Sequence, residues 1–190
     1  LKTFASPIIM LFLGGFFLAI AATKYRLDRN LARVLLRPFG NDPRFVMLGL
    51  MMITAVFSMF MSNTATTALM LAILAPVMKL FKPDDPARFA FILSIPLAAN
   101  IGGVGTPIGT PPNAVAMKYL VGENAISFSE WMMFGIPLAL MLLVITWLLL
   151  IILNPPKDKH MDLVIEGSFM SSWKAWVVYL IFASTILLWL

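Results

Sequence analysis

Six nearby positions, Ser58, Ser62, Asn63, Thr64, Thr66 and Thr67, carry hydroxyl and amide groups in a stretch that otherwise suits lipid. Residues 45–78 contain no Asp, Glu, Lys, Arg or His, yet the run MFMSNTATTALM at 59–70 turns polar at its centre. A second concentration lies at 100–113, NIGGVGTPIGTPPN, with four glycines and three prolines in fourteen residues. Neutral oxygens of this kind can form a cage for a hard monovalent cation such as sodium. Ser58 and Ser62, four residues apart, are expected to share one helical face pointing toward the polar centre. For any one of these residues, ordinary small-residue packing or hydrogen bonding within a helix is the plain alternative. Both polar interruptions together are harder to explain that way, since each leaves backbone groups in need of partners.

The elements that must position these groups are membrane elements. Hydrophobic residues make up 61% of the chain, charged residues 12%, and the mean hydropathy is +0.92. The bilayer is therefore the relevant solvent, and the expected fold class is an all-α integral membrane protein, multi-pass in the cell membrane. With no cysteine, disulfides, thiolate nucleophiles and thiolate metal sites are excluded. The formal charge of +5 comes from basic residues at the ends of apolar runs, as membrane orientation requires, and does not point to nucleic acid. No charged region precedes the first apolar run, so no signal peptide is expected. The chain closes inside an apolar run, which implies a piece of a longer protein.

Residues 4–23 are long enough for one spanning helix, here expected to belong to a scaffold. Residues 24–44 place Arg26, Arg29, Arg33 and Arg37 among Leu27, Leu31, Val34 and Leu35, the pattern of a basic amphipathic helix on the cytoplasmic surface. As a single helix, 45–78 would measure about 50 Å, well beyond a hydrocarbon core of about 30 Å. Both of its flanks are basic, with Arg44 before it and Lys79, Lys82 and Arg88 after it. A re-entrant helical hairpin with its tip at 62–67, at mid-depth, satisfies both facts. Residues 79–153 are expected to hold a helix broken over 100–113 and then a spanning helix from 131. Residues 154–172 form a cytoplasmic connection, and 173–190 begin another span. The loop at 118–130 has a single basic residue and is assigned to the outside.

Broken helices leave unpaired backbone groups at their ends, so N-termini attract anions while C-termini and unwound carbonyls attract cations. Proton coupling would ordinarily need a titratable group inside the membrane, and the apolar runs have none. That makes an arsenite or sodium/proton type of exchanger the weaker alternative. A serine hydrolase would need a base beside Ser58 or Ser62, but the single histidine, His160, falls in a charged loop. No enzyme is expected. A membrane assembly subunit without transport would leave the polar tip unexplained.

MSNTATTALM followed by NIGGVGTPIGTPPNAVA resembles the divalent anion:sodium symporters, which carry dicarboxylates, citrate and sulfate and bear a Ser-Asn-Thr signature. The resemblance extends along nearly all of the chain, including RLDRNLARVLLR. It implies an inverted-repeat transporter of the elevator type, a homodimer, with sodium as coupling ion, a divalent anion as substrate and no other cofactor. Carried over, Ser62, Asn63, Thr64, Thr110 and Asn113 would contact the anion, and Ser58, Ser62, Asn63 and Gly109 would hold sodium. The family carries a second Ser-Asn-Thr hairpin, whereas this sequence has one, so the chain would supply about half of the substrate site. The first motif is shared across the family's substrate preferences, and the anion is left open.

Overall fold

Asp42 and Pro43 start the first well-defined helix. The Asp42 side chain accepts a hydrogen bond from the Arg44 amide at 2.9 Å, and Pro43 occupies the first turn, where its missing N–H costs nothing. The computed structural model describes residues 39–120, 122, 125–158, 160 and 172–189, together with Met10, Leu13, Gly14, Phe17, Ile20, Ala21, Lys24 and Tyr25. Of the expected scaffold span, the described positions are helical. Most of the expected surface helix over 24–44 and of the connection over 154–172 lies outside the described residues.

From residue 43 on, the described helices follow in the order α1 (Pro43–Ser58), α2 (Asn63–Met78), α3 (Ala87–Gly103), α4 (Pro111–Tyr119), α5 (Phe128–Leu153) and α6 (Trp173–Trp189). Among the described residues there is no strand. At 16 residues each, α1 and α2 are about 24 Å long, too short to cross a bilayer singly. Only α5, with 26 residues and an almost unbroken apolar sequence, has the length and composition of a span among the described residues. Its start is fixed by a capping box, in which Ser127 and Glu130 satisfy each other's backbone N–H groups.

The core is built around α3, which packs against α1, α2 and α5. Phe91, Ile95 and Ala98 of α3 meet Leu50 of α1, Met70 of α2 and Leu143 of α5 in one buried cluster. Small residues set how closely the backbones approach, as expected where lipid provides no hydrophobic drive between helices. A Cβ on Gly102 would lie 2.4 Å from Ala55 Cα, so α1 and α3 cross almost in backbone contact.

Helix α5 acts as a ruler for the rest. Trp131, Gly135, Ala139, Leu143 and Trp147 recur every four residues on its inward side, the ridge along which helices commonly cross obliquely. Near its start, Trp131 Nε1 donates to the Val104 carbonyl at 3.0 Å. About 24 Å further along, Trp147 Nε1 donates to the Arg44 carbonyl at 2.8 Å, at the base of α1. Beyond its end, Lys157 N donates to Asp85 Oδ2 at 3.3 Å and Lys82 pairs with Asp158 at 3.3 Å, at the base of α2. Both bases of the α1–α2 pair therefore lie at one end of α5. The turn between them lies at the other, where Thr106 Oγ1 donates to the Met59 carbonyl. The chain reverses over 59–62, as a helical hairpin. Measured against α5, its tip stands beside residues 131–135, nearer the start of that helix than its middle.

Two expectations need correction. Helix α1 ends at Ser58, so Ser58 and Ser62 do not share a helical face; Ser62 stands beyond the turn, where its Oγ accepts from Ala65 N at 3.3 Å and its carbonyl from Thr66 N at 2.9 Å. The irregular stretch is also shorter than 100–113. Helix α3 continues through Gly103, and α4 begins with two prolines that suit a first turn, leaving 104–110 as the break. Packing of Gly102 against α1 holds in helical form a sequence whose intrinsic preference is against it.

Candidate functional site

The turn at 59–62 and the break at 104–110 lie against each other. Between them converge the C-terminal end of α1, the N-terminal end of α2, the C-terminal end of α3 and the N-terminal end of α4. The Thr106 hydroxyl bridges the two turns through the Met59 carbonyl and is fully buried. Asn113, also buried, spans the break from inside: its Nδ2 donates to the Gly103 and Thr106 carbonyls, both at 2.8 Å. Helix α5 closes the outer side, where Gly135 leaves room for the Val104 and Gly105 carbonyls.

Gly103 forms the floor. A Cβ there would lie 2.8 Å from Asn63 Oδ1 and 3.2 Å from the Gly109 carbonyl oxygen, so two neutral oxygens flank a space that a side chain would fill. Gly109 in turn has no room for a Cβ, which would stand 2.4 Å from the Gly103 carbonyl oxygen. Ser58, fully buried at the end of α1, donates to Asn63 Oδ1 at 2.8 Å. The Asn63 amide continues outward, its Nδ2 donating to Asn100 Oδ1 on α3 at 3.0 Å.

The expected site residues fall into three groups. Ser58 and Asn63 are joined by a hydrogen bond, and Asn63 and Gly109 flank Gly103. Ser62 sits at the start of α2, where its side chain caps the helix, and Thr64 follows it with an exposed side chain. Thr110 precedes α4 in extended backbone and is half-buried, while the N–H groups of Asn113 are spent on holding the break, which leaves its Oδ1 for a ligand. The pairing of Asn100 with Asn63 is not announced by the spacing, and Thr66 has a buried Oγ1 with no hydrogen-bond partner among the described residues. The trace that Asn100 leaves in the sequence is its place at the head of the glycine-rich stretch, two positions before Gly102.

No charge intrudes. Residues 45–78 and 89–117 hold no ionisable side chain, and among the described residues no group of His, Cys, Asp and Glu could hold a metal ion. The Ser58 hydroxyl faces an amide where a nucleophile would need a base. Dipoles do the electrostatic work: carbonyls at the ends of α1 and α3 carry partial negative charge, and the N–H groups at the starts of α2 and α4 partial positive charge.

A hairpin and a broken helix meeting at uncharged oxygens, braced by one long apolar helix, define a helical membrane protein built on the plan of secondary transporters. Residues 1–190 match the citrate transporter family, and the chain belongs to it. It is 32% identical over 186 residues to an uncharacterized transporter of Schizosaccharomyces pombe, covering 97% of this chain and 21% of that protein. With the sodium-dependent dicarboxylate transporter SdcS of Staphylococcus saprophyticus it shares 37% identity over 158 residues, 76% of this chain and 30% of the relative. With the sodium-dependent high-affinity dicarboxylate transporter 3 of Caenorhabditis elegans it shares 35% over 170 residues, 79% and 30% respectively. The chain thus spans under a third of the length of these relatives. The resemblance to the divalent anion:sodium symporters is borne out.

Proposed function

We propose that this chain forms one half of the binding site of a transporter that couples sodium to the uptake of a di- or tricarboxylate, or of another divalent anion such as sulfate. The observation that carries the reading is the arrangement of Ser58 Oγ, Asn63 Oδ1 and the Gly109 carbonyl around the open floor at Gly103. Oxygens without formal charge suit a monovalent cation, since a doubly charged ion in so little solvent would call for carboxylates. The start of α2, with Ser62, Asn63 and Thr64, presents backbone N–H groups suited to a carboxylate beside that cation. Thr110 would complete this half of the anion site, with Asn113 bearing on it by holding the break, since its amide hydrogens already go to the Gly103 and Thr106 carbonyls. A cation and an anion bound side by side are each less costly than either alone in low dielectric, so sodium raises the affinity for the anion and the anion raises that for sodium by the same factor.

In this reading α1 to α5 travel as one body, re-entrant in the membrane, while residues 4–23 belong to a static scaffold that dimerises. That is an elevator mechanism. The names of the two sodium-dependent relatives support the coupling ion and the substrate class. The test is uptake of labelled succinate, citrate and sulfate into proteoliposomes of the full-length protein across a range of sodium concentrations. Uptake is expected to rise with sodium, and Asn63→Ala to weaken the dependence on both sodium and anion. Sodium-independent uptake by the unmodified protein would sink the reading.

A further inference from the structure

We infer that Asn100 is a positioning residue that fixes which end of the Asn63 amide faces the oxygen cage, an inference that rests on the cation reading of that cage. Ser58, Asn63 and Asn100 form a chain of hydrogen bonds leading from a fully buried hydroxyl to an exposed amide. Every member of this chain can reverse. The serine hydroxyl both donates and accepts, and each amide carries an oxygen at one end and an NH2 at the other. In the arrangement seen, Ser58 donates to Asn63 Oδ1 and Asn63 donates to Asn100 Oδ1, so the Asn63 oxygen lies toward the Gly103 floor, 2.8 Å from the place of a Cβ, and its nitrogen lies 3.3 Å from that same point. Reversal of all three would keep both hydrogen bonds and turn an NH2 group into the cage, where it would repel a cation.

Ser58 cannot choose between these two polarities, because its hydroxyl rotates to serve either. The Gly103 floor has no side chain and cannot choose either. The polarity seen is held by Asn100 for as long as its own Oδ1 is turned to the Asn63 nitrogen, as it is at 3.0 Å. A cation in the cage favours the same polarity from the opposite end.

The experiment separates an acceptor at position 100 from mere bulk. Uptake by the full-length protein is measured against sodium and against anion for the unmodified protein, Asn100→Ala and Asn100→Asp, each also in the Asn63→Ala background. Asn100→Ala removes the acceptor, and the sodium concentration for half-maximal uptake is expected to rise about ten-fold, with the anion KM at saturating sodium changed by less than about two-fold. Asn100→Asp can only accept, which locks the seen polarity, and sodium dependence is expected to stay within about two-fold of the unmodified protein. In the Asn63→Ala background neither change at position 100 should alter the residual sodium dependence, since the group it positions is gone. The inference is overturned if alanine and aspartate act alike on sodium, or if their sodium effects persist without the Asn63 amide. Should the alanine variant fail to assemble, the aspartate variant decides alone, and loss of its sodium dependence overturns the inference. Sodium-independent uptake by the unmodified protein removes the coupling reading and this inference with it, whereas normal coupling with an indifferent position 100 removes only the inference.

Discussion

The two ends of α5 solve the same problem, joining turns from distant parts of the chain, with opposite chemistry. At the end near Trp147 and Asn154 the bases of the hairpin are tied by charges. Lys157 pairs with Asp84, Lys82 pairs with Asp158, and Asp85 accepts from the Ala87 and Lys157 amides. At the end near Trp131 there is no ion pair among the described residues, where hydroxyls, amides and carbonyls meet over glycines that allow near contact. Exposed charges are readily screened, so each pair contributes little and tolerates loss. Dipoles buried among helix ends cannot fall back on water, and each one that loses its partner costs the full desolvation of the group left behind. The expected consequence is a molecule forgiving at one end of α5 and brittle at the other.

The largest expected effect comes from adding one methyl group at the brittle end. In Gly109→Ala the new Cβ would stand 2.4 Å from the Gly103 carbonyl oxygen and 2.9 Å from Gly103 Cα, where only backbone movement can relieve it. A loss of about 3 kcal/mol in stability, with uptake abolished, is expected and is read by thermal unfolding of the purified full-length protein. A variant that melts like the unmodified protein would break the comparison at its strongest point.

A smaller and more selective effect is expected for Ser58→Ala, which removes one donor to Asn63 Oδ1 and one oxygen of the cage while leaving the fold nearly intact. Half-maximal uptake should need about ten-fold more sodium, with the anion KM at saturating sodium changed far less. Equal effects on both ligands would show that the cage and the anion site cannot be told apart.

The smallest effect belongs to the forgiving end. Lys157 beside it holds the Asp84 carboxyl below its ordinary value of 3.8, while the same contact raises the Lys157 ammonium above its ordinary 10.5. A carboxyl held low in the folded state contributes stability that is present above its unfolded value and lost as pH falls through the folded one; the raised lysine contributes below its ordinary value and loses that as pH rises through the raised one. The pair should therefore act evenly from about pH 5 to pH 10 and weaken outside that window. Both groups face solvent, so Lys157→Ala is expected to lower the melting temperature only slightly, and not at all in high salt. A large drop that persists in high salt would mean that this end is brittle too.

The sequence made the brittle end visible in kind but not in detail. Residues 45–78 are too long for one span and have basic residues at both flanks, so the hairpin followed from length and charge together, and the glycines and prolines after Asn100 marked a break. Its limits differ from the expected ones for two reasons: Gly102 remains helical because it packs against Ala55, and Pro111 and Pro112 belong to a first helical turn, which proline suits, and not to the break. Ser58 and Ser62 were put on one face by assuming that the helix continued, whereas the turn at 59–62 separates them. Asn63 was legible from its motif. Asn100, 37 positions away, becomes its neighbour only through the packing of α2 on α3. The ties of the forgiving end were equally hidden, since Asp84 and Lys157 are 73 positions apart and look like ordinary loop charges.

Trp131 and Trp147 each donate an indole N–H to a backbone carbonyl, but only the first touches the break, through Val104. Indole emission responds to the polarity and hydrogen bonding around the ring, so once the other three tryptophans, Trp173, Trp176 and Trp189, are replaced these two form a pair of optical probes. One is placed where ligands would disturb the backbone, and the other is anchored at the quiet end as its reference. A change of colour in the first without the second would report the site at work with no label attached.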